Sequence, residues 1–296
     1  MARSVRLLAA AGALLGLLGC GSSAPPTGPT PSTQPSGTTA VLAGAGDIAV
    51  CGVPGAAATA SLLDGISGTV FTAGDNVYDN GTADEFLRCY DPTWGRHRSR
   101  TRAAPGNHDY GSPGAGPYFT YFGTAAGTPG LGYYSFDAGA WHVVSLNSNI
   151  AADEGSPQYA WLGADLSRHS TRCLAAIWHH PLYSSSQNGP QPMMRAVWTL
   201  LQQFGAEFVV SGHDHVYERF GPQDASGHSV ANGIRQFVVG TGGAPLYSFG
   251  ATQPASEARS AGWGVIKFTL YDGSYFWEFI PAAGSSFSDS GSDVCH

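Results

Sequence analysis

Five short runs of this 296-residue chain gather side chains that bind metals and move protons. They are Gly46-Asp47, Gly74-Asp75-Asn76-Val77-Tyr78, Gly106-Asn107-His108-Asp109, Trp178-His179-His180-Pro181 and Gly212-His213-Asp214-His215. Carboxylates and an amide offer hard oxygen donors and imidazoles offer borderline nitrogen donors, a mixture that suits Fe, Mn or Zn better than Ca or Mg. Two metals about 3.5–4 Å apart need one ligand that bridges them, and a carboxylate with two oxygens can do so. In a continuing strand His213 and His215 would share a face while Asp214 pointed away. On a tight turn at a strand end they can address one metal each. Taken singly, Asp47 and Asp75 could be loop caps and the histidines buried packing residues; the ordered set argues for chemistry.

Such side chains need a scaffold, and the runs fall where apolar segments stop. Val41 to Gly46, Thr69 to Ala73, Leu174 to Trp178 and Phe208 to Val210 read as strands that end at Asp47, Gly74-Asp75, His179 and Gly212-His213. Ala104-Pro105-Gly106 leads into Asn107. Helices are expected over Ala56 to Leu63, Thr82 to Cys89 (a Thr82/Glu85 capping box), Ser156 to Arg168 and Met193 to Phe204. In the last, Val197, Leu200, Leu201 and Phe204 share a face. Tyr133 to Phe136 and His142 to Leu146 should pair around Asp137-Ala-Gly, and Ile234 to Val239 is another strand. Gly264 to Leu270 and Tyr275 to Ile280 form a hairpin about Asp272-Gly273. The pattern is that of one α/β domain with mixed sheets and outer helices. Ends of strands are where open α/β sheets collect ligands, and the glycine before four of the runs lets the chain turn sharply there.

The N-terminus reads as a targeting segment: Arg3 and Arg6 precede the apolar run Leu7 to Leu18, which is short for a membrane span. It closes on Leu17-Leu18-Gly19-Cys20, which resembles a bacterial lipobox and implies lipidation of Cys20 after removal of residues 1–19. The alternative is an ordinary signal peptide with an incidental cysteine. Residues 20–39, rich in Pro, Ser, Thr and Gly, form a flexible tether, leaving 40–296 as the domain. The expected location is therefore extracytoplasmic, with a lipid anchor as the only membrane contact. Four cysteines follow: Cys51, Cys89, Cys173 and Cys295. In an exported domain they suggest two disulfides, for which Cys51–Cys89 and Cys173–Cys295 are favoured among three pairings.

Lys267 is the only lysine, which excludes a Walker-type phosphate loop and leaves Schiff-base chemistry without a second candidate. Without residues 1–19, 12 Lys+Arg face 21 Asp+Glu, a net charge of −9 that argues against duplex nucleic acid as a partner. Small phosphate esters remain possible. The basic run Arg96-His97-Arg98-Ser99-Arg100-Thr101-Arg102 could hold a substrate phosphate, but alternating residues cannot all face one pocket, so a solvated segment is the simpler reading. Trp94, Trp141 and Trp161 read as core.

In their order and spacing the five runs resemble the calcineurin-like metallophosphoesterases. Ala49 stands where that family usually has a histidine, and Tyr78 closes the second run, as in the purple acid phosphatase branch. The branch usually has glycine at the position of Ala49, which is equally unable to ligate. The resemblance implies a four-layer α-β-β-α sandwich of two mixed sheets with a dinuclear site at the strand ends. It implies that Asp47, Asp75, Tyr78 and His215 hold one metal, and that Asp75, Asn107, His179 and His213 hold the second. His108 would protonate the leaving group, and His180, Asp109 and Asp214 would support ligands, the two aspartates by orienting histidines. Two carboxylates and a phenolate favour a trivalent first ion, so Fe3+ beside divalent Fe, Zn or Mn is expected. The implied reaction is attack on a phosphomonoester by metal-bound hydroxide. A phosphodiesterase or nuclease of the same superfamily is the near alternative, and a non-catalytic binding lipoprotein the remote one.

Overall fold

Small apolar residues open the domain: Ala40–Ala45 forms β1, flanked by β2 (Thr69–Ala73) and followed by β3 (Thr101–Ala104), all parallel. The chain continues with β4 (Tyr134–Ala138), β5 (Trp141–Ser145), β6 (Cys173–Ile177), β7 (Ala206–Ser211) and β8 (Tyr217–Phe220). It closes with β9 (Arg235–Val239), β10 (Ser256–Ser260), β11 (Gly264–Tyr271), β12 (Ser274–Pro281) and β13 (Asp289–Val294). The helices between are α1 (Gly55–Asp64), α2 (Ala83–Glu85), α3 (Gly116–Phe122), α4 (Pro157–Leu166) and α5 (Arg195–Gln203). This computed structural model describes Met1, residues 39–169 and residues 173–296. The expected signal segment, Cys20 and nearly all of the tether lie outside the described residues, among which no helix is long and apolar enough to cross a membrane.

The strands make two mixed sheets, in the orders β13-β12-β11-β1-β2-β3 and β10-β8-β9-β7-β6-β5-β4. Period-2 alternation shows how they stack. On β6, Cys173, Ala175 and Ile177 enter the core shared with the first sheet, where Leu42, Phe71 and Phe268 lie. Leu174 and Ala176 enter a second core with Leu162, Leu166, Val197 and Leu201 of α4 and α5. The continuous apolar run of β6 thus follows from burial on both faces. Phe208 of β7 stacks on Phe268 of β11 at 4.3 Å, so the inner faces of the two sheets touch directly. Ala56, Ala60 and Leu63 seat α1 on the first core. The expected α-β-β-α layering is the one observed.

Local chemistry explains the departures from the sequence reading. The β4–β5 turn falls at Gly139-Ala140 rather than at Asp137, because Gly139 takes the left-handed turn (φ 64°) and Asp137 pairs across with His142. The Thr82/Glu85 capping box forms, but the helix then widens into a π turn over Phe86–Tyr90. Phe204, expected on the apolar face of α5, lies just past the helix end and is exposed. Strands β8, β10 and β13 carry no strong apolar pattern; β13 is held by β12 and by Arg219–Asp289 and Arg235–Asp293 ion pairs. Trp94 and Trp141 are fully buried, and Trp161 packs against Tyr133.

Disulfides join Cys51 to Cys89 and Cys173 to Cys295. The second spans 122 residues and ties the C-terminal tail to the start of β6, so it removes much of the unfolded chain's freedom. Replacing Cys173 and Cys295 together by Ser should lower stability by about 2–5 kcal/mol in a urea titration. An unchanged midpoint would show that the Cys173–Cys295 bridge contributes nothing.

Candidate metal centre

Parallel strands bring the five runs together. Asp47, Asp75, His179 and His213 each stand two residues beyond the last residue of β1, β2, β6 and β7, and Asn107 stands three beyond β3. Three of these positions are left-handed without being glycine: Asp47 (φ 60°), Asp75 (φ 49°) and His213 (φ 68°). Each costs roughly 1–2 kcal/mol and persists because neighbouring backbone hydrogen bonds enforce it, as Asp47 N–H to Gly74 O and Ile48 N–H to Asp75 O do here. Strain of this kind concentrates at functional sites.

Close approach explains the glycines. A Cβ on Gly106 would lie 2.1 Å from Asp75 N and 2.2 Å from Asp75 Oδ1, and one on Gly74 would lie 2.4 Å from His179 Nδ1. Gly106→Ala must therefore displace the Asp75 carboxylate. A displacement near 1 Å is worth about 10²-fold in rate at a catalytic site, so any hydrolysis of an aryl phosphate should fall by that order while circular dichroism stays native. Retained turnover would mean that the Asp75 carboxylate does not have to stay in place.

The predicted donors form two groups. In one, Tyr78 Oη lies 2.8 Å from Asp47 Oδ1 and 3.1 Å from His215 Nε2. In the other, Asn107 Oδ1 lies 3.0 Å from both His179 Nε2 and His213 Nδ1. Asp75 Oδ2 joins them, 3.1 Å from Tyr78 Oη and 3.2 Å from His179 Nε2.

The tautomers show that this cluster fits a cation. His179 donates Nδ1–H to Ala73 O (2.8 Å) and His215 donates Nδ1–H to Pro245 O (2.6 Å). Each neutral ring would then aim an Nε2 lone pair at carboxylate oxygens, His179 at Asp75 and His215 at Asp47 (3.3 Å). Lone pairs facing one another repel unless a proton or a metal stands between them. Without a metal the proton takes that place. Burial opposes charging His179, yet the Asp75 carboxylate holds its pKa up at about 9, and Asp47 likewise raises that of His215 against burial. Burial and the Asp47 and Asp75 charges push the Tyr78 phenol well above its ordinary pKa, so a phenolate there requires a strong cation.

His108 stands at the rim. Its backbone N–H donates to Asp75 Oδ1 (2.7 Å), its Nδ1 is 2.6 Å from Asp79 O, and its half-exposed ring packs on Tyr78 at 4.3 Å. His180 does not join the donors through Nδ1. Ser148 Oγ accepts the His180 backbone N–H (3.0 Å) and lies 2.8 Å from Nδ1, where its own proton finds an acceptor. Burial, with the neighbouring His179 and His213, pushes His180 down to about 2, so it stays neutral.

Two supporting residues act otherwise than expected. Asp109 steers no histidine: it accepts from Asn76 Nδ2 (2.9 Å) and Gly106 N–H (2.8 Å), locking the two loops that carry Asp75 and Asn107. Burial and the Asp75 charge raise its pKa to about 7. Asp214 is fully buried with no hydrogen bond to a histidine ring, and burial raises its pKa. The arginine run leads into the start of β3, at the end of the strand away from Asn107, where Arg96 pairs with Asp64 and Arg100 donates to Leu63 and Gly68 carbonyls. It takes no part in the cluster.

The sequence reading missed the segment after β9. Besides the Pro245 carbonyl, it supplies Tyr247, whose ring stacks on His215 at 3.9 Å, and Ala244 N–H, which donates to Asp47 O. The signal was present: Phe237 to Val239 runs into Gly240-Thr241-Gly242-Gly243, the same strand-end glycine pattern as the other runs.

Comparison with known proteins agrees with this architecture. Residues 42–217 match the family model for calcineurin-like phosphoesterases. Purple acid phosphatase 15 of Arabidopsis thaliana is 33% identical over 177 residues, 49% of this chain and 33% of that protein. Purple acid phosphatase 18 of the same plant is 37% identical over 117 residues, 38% of this chain and 26% of that protein. The chain thus spans about a third or less of the length of these relatives. The solved purple acid phosphatase PPD1 from yellow lupin seeds superposes with a TM-score of 0.74 at 22% identity, covering 87% of this chain and 54% of that one, which establishes the shared fold. By its sequence match and its two-sheet architecture, the chain belongs to the calcineurin-like phosphoesterase family, with its likeness on the purple acid phosphatase side.

Proposed function

We propose that this protein hydrolyses phosphomonoesters at a dinuclear metal centre, Fe3+ paired with divalent Fe, Zn or Mn. Asp47, Asp75, Tyr78 and His215 would hold the trivalent ion, and Asp75, Asn107, His179 and His213 the divalent one. The observation that carries this reading is Asp75, whose carboxylate touches both donor groups. When bound, such a pair supplies Lewis acidity and a water acidified toward neutral pH.

The remaining work falls to the chain. Backbone contacts through Nδ1 keep His179 and His215 turned inward, and Asp109 keeps the Asp75 and Asn107 loops in register. His108, tethered by Nδ1 and half exposed, can as an imidazolium give its Nε2 proton to the departing ester oxygen. Its position at the rim supports that role because the leaving group must exit toward solvent. We extend the reading to residues 40–296 as the catalytic domain on a tether, lipidated at Cys20 and displayed outside the membrane. The two disulfides suit an extracytoplasmic setting.

Steady-state assays of an aryl phosphate beside the matching bis-aryl diester test the substrate class. Turnover of the monoester with little on the diester is expected; the reverse would make the protein a phosphodiesterase. A broad visible absorption from ferric phenolate should accompany activity, and a colourless active enzyme would remove Tyr78 and Fe3+ from the reading. Radiolabelled palmitate incorporation that depends on Cys20 tests the anchor.

A further inference from the structure

A second gathering of histidines and carboxylates lies on the outer side of the second sheet, on α4 and strands β4 and β5. His142 of β5 is buried, and both its ring nitrogens meet carboxylates: Nδ1 is 2.9 Å from Asp137 Oδ1 and Nε2 is 2.8 Å from Asp165 Oδ2. Asp165, buried on α4, also accepts from Ser135 Oγ at 3.1 Å. His169 lies four residues after Asp165, just past the end of α4. Its Nδ1 is 2.8 Å from the Asp165 carbonyl, and its ring lies on that of His142 at 3.9 Å. One ligating atom each from His142, Asp165 and His169 fall within 4.8 Å of one another.

A neutral imidazole has one N–H and one lone pair, so His142 cannot donate to both carboxylates unless it carries a proton on each nitrogen. With Nδ1–H given to Asp137, the Nε2 lone pair faces Asp165, and only a proton or a metal can stand between them. Histidines that bind metals are commonly held this way, with the outer nitrogen donating to a carboxylate or a backbone carbonyl. His142 has the first arrangement and His169 the second, leaving Nε2 of each for coordination. Charge points the same way. Asp137, Asp165 and an imidazolium sum to −1, whereas the two carboxylates, two neutral rings and a divalent ion sum to zero. Two imidazoles and one carboxylate suit zinc and its neighbours better than Mg or Ca.

We propose that His142, Asp165 and His169 form a further metal site, separate from the dinuclear centre. It takes one zinc-type divalent ion, with Asp137 holding the His142 ring. The ion fastens the end of α4 to β5, and the half-exposed His169 ring turns from its stacked position to complete the ligand set.

The test is the number of ions bound. Protein stripped by a chelator and titrated with zinc against a colorimetric competitor should bind one ion fewer per chain as His169→Ala than as wild type. Asp137→Asn should bind that ion about 10–100-fold more weakly. Both variants should keep the wild-type rate on an aryl phosphate, because neither residue touches the Asp47–His215 cluster. Cobalt(II) loading should show a d–d band that His169→Ala loses. Equal uptake by wild type and His169→Ala overturns the proposal, as does an unchanged cobalt spectrum. Since the readout is a difference of one ion, it stands apart from the dinuclear reading, whose failure would show as equal uptake by Asp75→Asn and wild type.

Discussion

Asp75→Asn should cost the protein at least one metal ion and lower aryl phosphate turnover by about 10³-fold, since metal assistance is worth several kcal/mol and each 1.4 kcal/mol is a factor of ten. The amide preserves the size of the side chain and one oxygen for the His108 N–H, so the local fold has no steric reason to change. What it loses is the charge and the second donor oxygen, at the one side chain that reaches both Tyr78 (3.1 Å) and His179 (3.2 Å). A second readout comes from metal-free protein. Burial lowers the His179 pKa and chiefly the Asp75 carboxylate raises it to about 9. In the variant only the lowering influence of that pair remains, so NMR should find the His179 titration moved down. Elemental analysis and kinetics on one preparation decide the matter; wild-type metal content with wild-type turnover would sink the bridge assignment.

His108→Ala should do the opposite to the metals: both stay, while turnover falls by about 10²–10⁴-fold, the usual worth of a positioned general acid. Its Nε2 sits 4.0 Å from Asp75 Oδ2, outside both donor groups, so they keep their partners without it. The deficit should depend on the leaving group. Alkyl phosphates, whose departing alkoxide needs a proton, should show the full loss, and nitrophenyl phosphate, whose phenolate leaves unaided, a small one. A uniform deficit on every substrate would reduce His108 to packing against Tyr78.

Much of the fold and of the site was legible in the sequence because it is local. Apolar runs such as Phe208 to Val210, bounded by Gly212-His213, announce a buried strand and its ligand-bearing end together. Alternation in Gly264 to Leu270 reports a half-exposed hairpin, and Ser156 caps α4 through Tyr159 N–H as its position suggests. β13 was not legible, since Asp-Ser-Gly-Ser-Asp-Val carries no apolar period and becomes a strand only through β12 and two arginines. Asp137 was read as a turn residue because nothing local reveals that His142 stands opposite it.

At the centre itself, the sequence by itself determined which donors exist and that they stand at strand ends, because residue type and the glycine before four of the five runs are properties of neighbouring positions. Only the tertiary structure decided which groups they form. Asp75 meets His179 across 104 positions of sequence, His215 is turned by the Pro245 carbonyl, and Ser148 rather than a donor claims Nδ1 of His180. Those choices are made by backbone carbonyls that any residue could supply and by a hydroxyl that any serine or threonine could supply. They carry no signature until two sheets bring their edges together.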